Sequence, residues 1–85
     1  MYQMRIKASA QKDLLKLPYR DRLHINEKLI KLAENPSRRD LDIKKMKGNS
    51  LFRLRSGDYR IIYQKQDRLL VILIVAIGHR KEIYQ

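Results

Sequence analysis

Residues Leu51–Tyr84 read LFRLRSGDYRIIYQKQDRLLVILIVAIGHRKEIY, and the reading of this stretch decides the fold. Leu69–Ile77 (LLVILIVAI) is an unbroken apolar run, rich in Val and Ile and bounded by Gly78. A helix needs ~20 such residues to span a bilayer, so the run is too short for that. It fits a buried central strand, although periodicity alone does not separate a short apolar run from a buried helix segment. Ahead of it, Leu51–Arg55 and Tyr59–Lys65 flank Ser56-Gly57-Asp58. Glycine followed by aspartate suits a two-residue hairpin turn, because glycine adopts the unusual backbone angles such a turn needs. The stretch therefore predicts three antiparallel strands in a meander.

With Gly57-Asp58 as the loop, Ser56 opposes Tyr59, Arg55 opposes Arg60, Leu54 opposes Ile61 and Phe52 opposes Tyr63. Directly opposed residues share a face. Phe52, Leu54, Ile61 and Tyr63 then form the core side, and Arg53, Arg55 and Arg60 lie together on the other. Opposing Arg55 to Arg60 brings like charges within about 5 Å, which is destabilising unless an anion or a carboxylate sits between them. A second tight turn is expected at Gln66-Asp67. It sends Leu70, Ile72 and Ile74 to the core, and Leu69, Val71, Leu73, Val75 and Ile77 to the cationic face. By the same parity His79 joins the face of Arg60. That face is apolar in its middle and basic at its edge. Few residues follow Ile77, so a partner's apolar segment, with acidic residues for the cations, is expected to cover it.

Upstream, Tyr2–Ala8 alternates apolar and polar residues and predicts a half-buried strand. Ser9 is the expected N-cap of a first helix, whose stripe is Ala10, Leu14 and Leu17. Pro18 separates it from a second helix over Tyr19–Asn35, with Leu23, Ile25, Leu29, Ile30, Leu32 and Ala33 on its apolar half. Asn35-Pro36 stops that helix. The short link predicts a helical hairpin covering one side of the sheet. His24 falls on the polar half and is read as solvated. Ser37–Asn49 (SRRDLDIKKMKGN) reads as a basic loop. The fold class is thus α+β, residues 1–85 forming a single domain. An N-terminal strand, a helical hairpin and a three-stranded antiparallel meander make a four-stranded sheet with two helices packed on one face.

The 85 residues carry twenty Lys and Arg against nine Asp and Glu, a formal net charge of +11. For so small a domain this favours a polyanionic partner: nucleic acid first, an acidic protein second, an anionic membrane third. From Arg38 to Arg60 there are eight Lys or Arg against three Asp. There is no cysteine, which excludes disulfides, thiolate catalysis and cysteine-ligated zinc. Two distant histidines and scattered acids do not make a metal-ligand spacing, and no cofactor is expected. The N-terminus has no long apolar core of the secretory kind, so a cytoplasmic location without membrane contact is expected.

On RLRSGDYRIIYQ (Arg53–Gln64), the apolar strand and GHRKEIY (Gly78–Tyr84), the chain resembles the RelE/ParE superfamily of bacterial toxins from toxin–antitoxin systems. The resemblance covers nearly the whole chain, including the order strand, two helices, basic loop, three strands. It implies a toxin neutralised by a cognate antitoxin. RelE-like members are ribosome-dependent endoribonucleases that cut mRNA, and ParE-like members inhibit DNA gyrase without cutting RNA. The RelE-like branch has arginines and a C-terminal tyrosine at positions matching Arg60, Arg80 and Tyr84, which favours the nuclease. Where the best-known RelE toxin has a lysine at the start of the second strand, this chain has Leu51. Arg53 stands where a second lysine would be, and the end is slightly shorter. A degenerate, non-catalytic binding member is the third reading.

Metal-independent RNA cleavage proceeds by 2′-hydroxyl attack on the scissile phosphate, leaving a 2′,3′-cyclic phosphate and a 5′-hydroxyl. It needs a base, an acid and donors for the charged phosphorane. Under the resemblance Arg60 stabilises the phosphate and Arg80 the leaving group; arginine is a poor proton donor but a permanent charge. Tyr84 stacks on a base or helps activate the hydroxyl. His79 has the best unperturbed pKa for proton transfer. Lys44, Lys45, Lys47, Arg53, Arg55 and Lys81 are the expected RNA-backbone contacts. Each of these alone reads as a solvated surface group, and it is their convergence at one sheet edge that carries the reading.

Overall fold

The register expected from Gly57-Asp58 is the one observed: Ser56 pairs with Tyr59, Arg55 with Arg60, Leu54 with Ile61 and Phe52 with Tyr63. Gly57 takes a φ of +59°, which closes the turn and which other residues adopt only under strain. The computed structural model describes residues 1–46 and 50–79. The elements in order are β1 (Gln3–Ile6), α1 (Ala8–Leu15), α2 (Tyr19–Glu34), β2 (Ile43–Lys45), β3 (Leu51–Ser56), β4 (Tyr59–Gln66) and β5 (Val71–His79). The sheet order is β1-β5-β4-β3-β2. β1 runs parallel to β5, and the other neighbours are antiparallel.

The sheet has five strands, not four. Ile43–Lys45, expected in a loop, pairs with Leu54–Phe52 as an edge strand. Three residues, two of them lysine, carry no readable period. Only the neighbouring β3 makes a strand of them, and lysines suit an exposed edge. The helices pack on one face as expected. Ala10 and Leu14 of α1 and Ile25, Leu29 and Leu32 of α2 join Leu54, Ile61, Tyr63, Ile72, Ile74 and Ile77 in one core. The stripe of α2 is narrower than expected: Leu23 and Ile30 are 42% and 60% exposed. Ser9 is not a cap. The helix begins at Ala8, with Lys7 in the capping position and no side-chain bond there.

The β4–β5 connection differs from the expected two-residue turn. A 3-10 turn spans Asp67–Leu69, and Leu70 follows with a φ of 51°. Without glycine, Gln66-Asp67 cannot close tightly. Leu69 and Leu70 are therefore left outside the strand and exposed, and Leu70 is not a core residue. Asp67 accepts a 2.6 Å bond from the Tyr2 hydroxyl and sits 3.7 Å from Lys65 Nζ, which ties the connection to the start of the chain.

β5 also contains a register shift. Ile62 pairs with Ala76 but Tyr63 with Ile74, so Val75 is an extra residue. A bulge of this kind switches the face of every residue beyond it. Ile77 therefore enters the core opposite Ile61, only 3% exposed, rather than joining the cationic face.

Two outcomes test this packing. Ile74→Ala should lower stability by about 2–5 kcal/mol, read as a lower urea midpoint at unchanged slope. Leu70→Gly should raise it by about 1 kcal/mol, because it removes a left-handed conformation that L side chains disfavour. Burial pushes the Tyr63 phenol up to about 12. The neutral phenol is the form the fold favours, so its contribution is full below pH ~10 and fades as pH rises toward 12. Wild type should lose stability over that window, and Tyr63→Phe should lose less.

Candidate functional site

One face of the sheet carries both helices and the core. On the other, the strand positions include Arg5 of β1, Lys44 of β2, Arg53 and Arg55 of β3, and Arg60 of β4. Lys44 opposes Arg53, and Arg55 opposes Arg60. No strand position on this face holds an Asp or Glu. Asp42 just ahead of β2 and Asp58 in the hairpin turn lie outside the strands, and the Asp42 carbonyl accepts from the Arg55 backbone N–H at 2.9 Å.

The Arg55–Arg60 pair is held by the hairpin tip. Arg55 Nε donates to the Gly57 carbonyl at 3.1 Å, and Arg60 Nη1 to the same oxygen at 3.4 Å. Arg60 Nη1 also donates to the Tyr59 carbonyl at 3.2 Å. A backbone oxygen, not a carboxylate, thus sits between the like charges. It orients both guanidinium groups and leaves their formal charge intact. Across from Arg60 on β5 stands Gly78, so no side chain fills the space beside the half-buried guanidinium from that strand. Planar forks of N–H groups held in this way have the shape that suits a phosphate-like anion.

His79 is elsewhere. The bulge at Val75 sets it opposite Tyr59, off the face of Arg60 and on the helix side. Its ring meets Tyr59 edge-on at 5.8 Å. The Tyr59 hydroxyl donates to Asp21 Oδ2 of α2 at 3.0 Å. Asp21, His24, Ser56, Gly57, Asp58, Tyr59 and His79 line a cleft of about 260 Å³ under the hairpin tip. His24, read from the sequence as a solvated polar-face residue, and Asp21, which that reading did not single out, reach this cleft because α2 crosses beneath the turn. Their i, i+3 spacing was the one signal available. Lys45 opposes Phe52 and so lies on the helix-side face, separated from Lys44. Lys47, Arg80, Lys81 and Tyr84 lie outside the described residues.

The apolar middle expected on the cationic face is smaller than its parity suggested. Ile77 has left it, and Val71 is 7% exposed, though Leu73 remains half-buried there. Larger exposed apolar groups sit on the helical hairpin: Leu15, Tyr19, Leu23 and Ile30. Among the described residues no group of three His, Asp or Glu is placed to hold a metal, and no helix is long and apolar enough to cross a membrane.

This fold is shared with solved RelE toxins. The archaeal RelE in a RelE–RelB complex from Pyrococcus horikoshii OT3 is 30% identical, with a TM-score of 0.83 over 95% of this chain and 97% of that one. The toxin-antitoxin complex RelBE of E. coli gives 27% identity and a TM-score of 0.78 over 93% of this chain and 96% of that one. By sequence, the mRNA interferase toxin RelE of Escherichia coli (strain K12) is 30% identical over 77 residues, 88% of this chain and 81% of the relative. The family described as ParE toxin of type II toxin-antitoxin system, parDE, matches residues 4–84. The chain belongs to the RelE/ParE toxin superfamily, and it is a RelE-like toxin of a toxin–antitoxin system.

Two substitutions probe the geometry. Gly57→Ala should cost about 1–2 kcal/mol through its left-handed backbone, seen as a lower melting midpoint, and should weaken sulfate protection of the fold by unseating both arginines. Tyr59→Phe removes the bond to Asp21 and should cost about 1–2 kcal/mol in a urea titration.

Proposed function

We propose that this toxin is a ribosome-dependent endoribonuclease that cleaves mRNA in the cytoplasm by metal-independent attack of a 2′-hydroxyl on the adjacent phosphate. The observation that carries the reading is the Arg55–Arg60 pair, fixed to one carbonyl on a face whose strand positions hold no carboxylate. Donors set in advance where charge develops stabilise a transition state without reorganising. Arg60 is assigned the scissile phosphate, and Arg53, Arg55 and Lys44 the neighbouring phosphates. Arg80, at the leaving group, and Tyr84, at the attacking hydroxyl or a base, are assigned from the family resemblance. So are Lys47 and Lys81, as backbone contacts. His79 lies on the helix side opposite Tyr59, away from Arg60, and ranks behind these residues as a proton carrier. The relative named an mRNA interferase supports the same chemistry.

A cognate antitoxin is the proposed neutralising partner, as the toxin–antitoxin complexes among the relatives support. Its acidic residues would meet the cationic face, and its apolar segment the exposed Tyr19, Leu23 and Ile30 of α2.

Translating ribosomes mixed with the protein should yield codon-phased cuts ending in a 2′,3′-cyclic phosphate. Arg60→Ala should reduce the cleavage rate about 10²–10³-fold with the fold intact. Intact messages at full ribosome occupancy would refute the reading. Four phosphate contacts give a salt slope near −2.8 for a single strand, so a fourfold rise in salt should weaken RNA binding roughly 50-fold. The match to the ParE family favours a second reading, inhibition of DNA gyrase. Loss of supercoiling activity with no RNA cleavage would establish it instead.

A further inference from the structure

The cationic face continues past the arginines into a groove at the far end of the sheet, and the groove's lining differs in kind. Gln3, Arg5, Gln66, Leu69, Val71 and Leu73 enclose about 460 Å³. The register explains the grouping. Gln66 and Gln3 flank Val71 in one cross-strand row, and Arg5 pairs with Leu73 two residues along. The floor is apolar, Val71 and Leu73. The walls are two amides and a guanidinium. Gln66 Nε2 donates to Gln64 Oε1 at 2.9 Å, which fixes the plane of the Gln66 amide. Neither the Gln3 nor the Arg5 side chain is held by a hydrogen bond or ion pair to another described residue.

We propose that this groove holds one unpaired nucleobase of the RNA strand whose phosphates meet Arg55 and Arg60. The proposal rests on reading that face as RNA-binding. The chemistry of the lining selects the occupant. A glutamine amide, with donor and acceptor side by side, matches the adjacent donor and acceptor on the edge of an unpaired base, such as N6 and N7 of adenine. A guanidinium stacks on a base or binds its phosphate, and an apolar floor takes the ring out of water. Apolar side chains of a peptide would bury the Gln3 amide and the Gln66 carbonyl oxygen without partners, which is unfavourable. A carboxylate side chain would satisfy Arg5 and leave both amides unmatched. The span also suits one strand. Gln66 lies six residues along β4 from Arg60, ~20 Å at ~3.3 Å per residue, or about six stacked nucleotides at ~3.4 Å each. The sheet would thus grip phosphates at its hairpin end and read a base at the other.

The test is binding of single-stranded RNA to the full-length protein, by fluorescence anisotropy, without ribosomes. The probes are a labelled trinucleotide, too short to reach from Arg60 to the groove, and a labelled dodecamer of adenines. Gln3→Ala, Arg5→Ala and Gln66→Ala lie at the surface, and circular dichroism would confirm their folding. Each should weaken dodecamer binding about 5–30-fold and leave trinucleotide binding unchanged. An abasic dodecamer with the same number of phosphates should bind the wild type less tightly and be nearly indifferent to the two glutamine changes. Unchanged dodecamer affinity in all three variants would overturn the groove assignment while leaving the endoribonuclease reading intact. Weaker antitoxin binding with unaltered RNA binding would make the groove a protein-docking site and overturn it too. Adenosine monophosphate binding as tightly as the dodecamer would make it a free-nucleotide site, again against the proposal. Wild type that binds neither RNA would count against the whole RNA-binding face.

Discussion

β4 is hydrogen-bonded on both sides, and the arrangement of this molecule follows from how its two neighbours align with it. Against β3 the alignment is regular, and it forces Arg55 onto Arg60. Against β5 it is broken once, at Val75. The regular side creates an electrostatic conflict. The irregular side decides which residues of β5 lie beside it. With an unbroken β5, Ile77 would lie on the cationic face and His79 beside Arg60. With the bulge, Ile77 fills the core, glycine stands opposite Arg60, and His79 moves to the cleft with Tyr59 and Asp21.

The conflict between the arginines is resolved locally and only in part. The Gly57 carbonyl accepts from both guanidinium groups, which fixes their geometry. A carbonyl does not neutralise two unit charges. The pair is therefore organised and still electrostatically unsatisfied, as a binding site for an anion requires. Lys44 opposite Arg53 places a second pair of like charges on the same face. Like charges opposed across a ladder weaken a sheet, and that weakening is offset when a polyanion binds. The left-handed glycine at the turn thus has two consequences, one for the chain reversal and one for the site.

Much of this was legible beforehand because the signals were local. Alternation in Tyr2–Ala8, the helical stripes broken by Pro18 and Pro36, and the Gly57-Asp58 turn each involve residues within a few positions of one another. They sufficed for the class, the order of elements, the β3–β4 register and the shared face of Arg53, Arg55 and Arg60. The errors fell where the signal was absent or non-local. Ile43–Lys45 is a strand because β3 lies beside it. Leu70 left the core because the connection needed an extra turn that no glycine announced.

By itself, then, the sequence determined that this is an α+β toxin of the RelE/ParE kind with an arginine-bearing hairpin and an excess of positive charge. Only the tertiary structure decided the neighbours of Arg60. Parity along a strand is carried forward residue by residue, so a single unpaired position, Val75, reverses everything after it. Nothing in the run LLVILIVAI marks which of its residues is the extra one, because all are apolar and every one is at home on either face of a buried strand. The choice is made by how β5 fits against β4 and α1, through packing that brings Ile77 into the core beneath α1 and turns His79 away from the arginines.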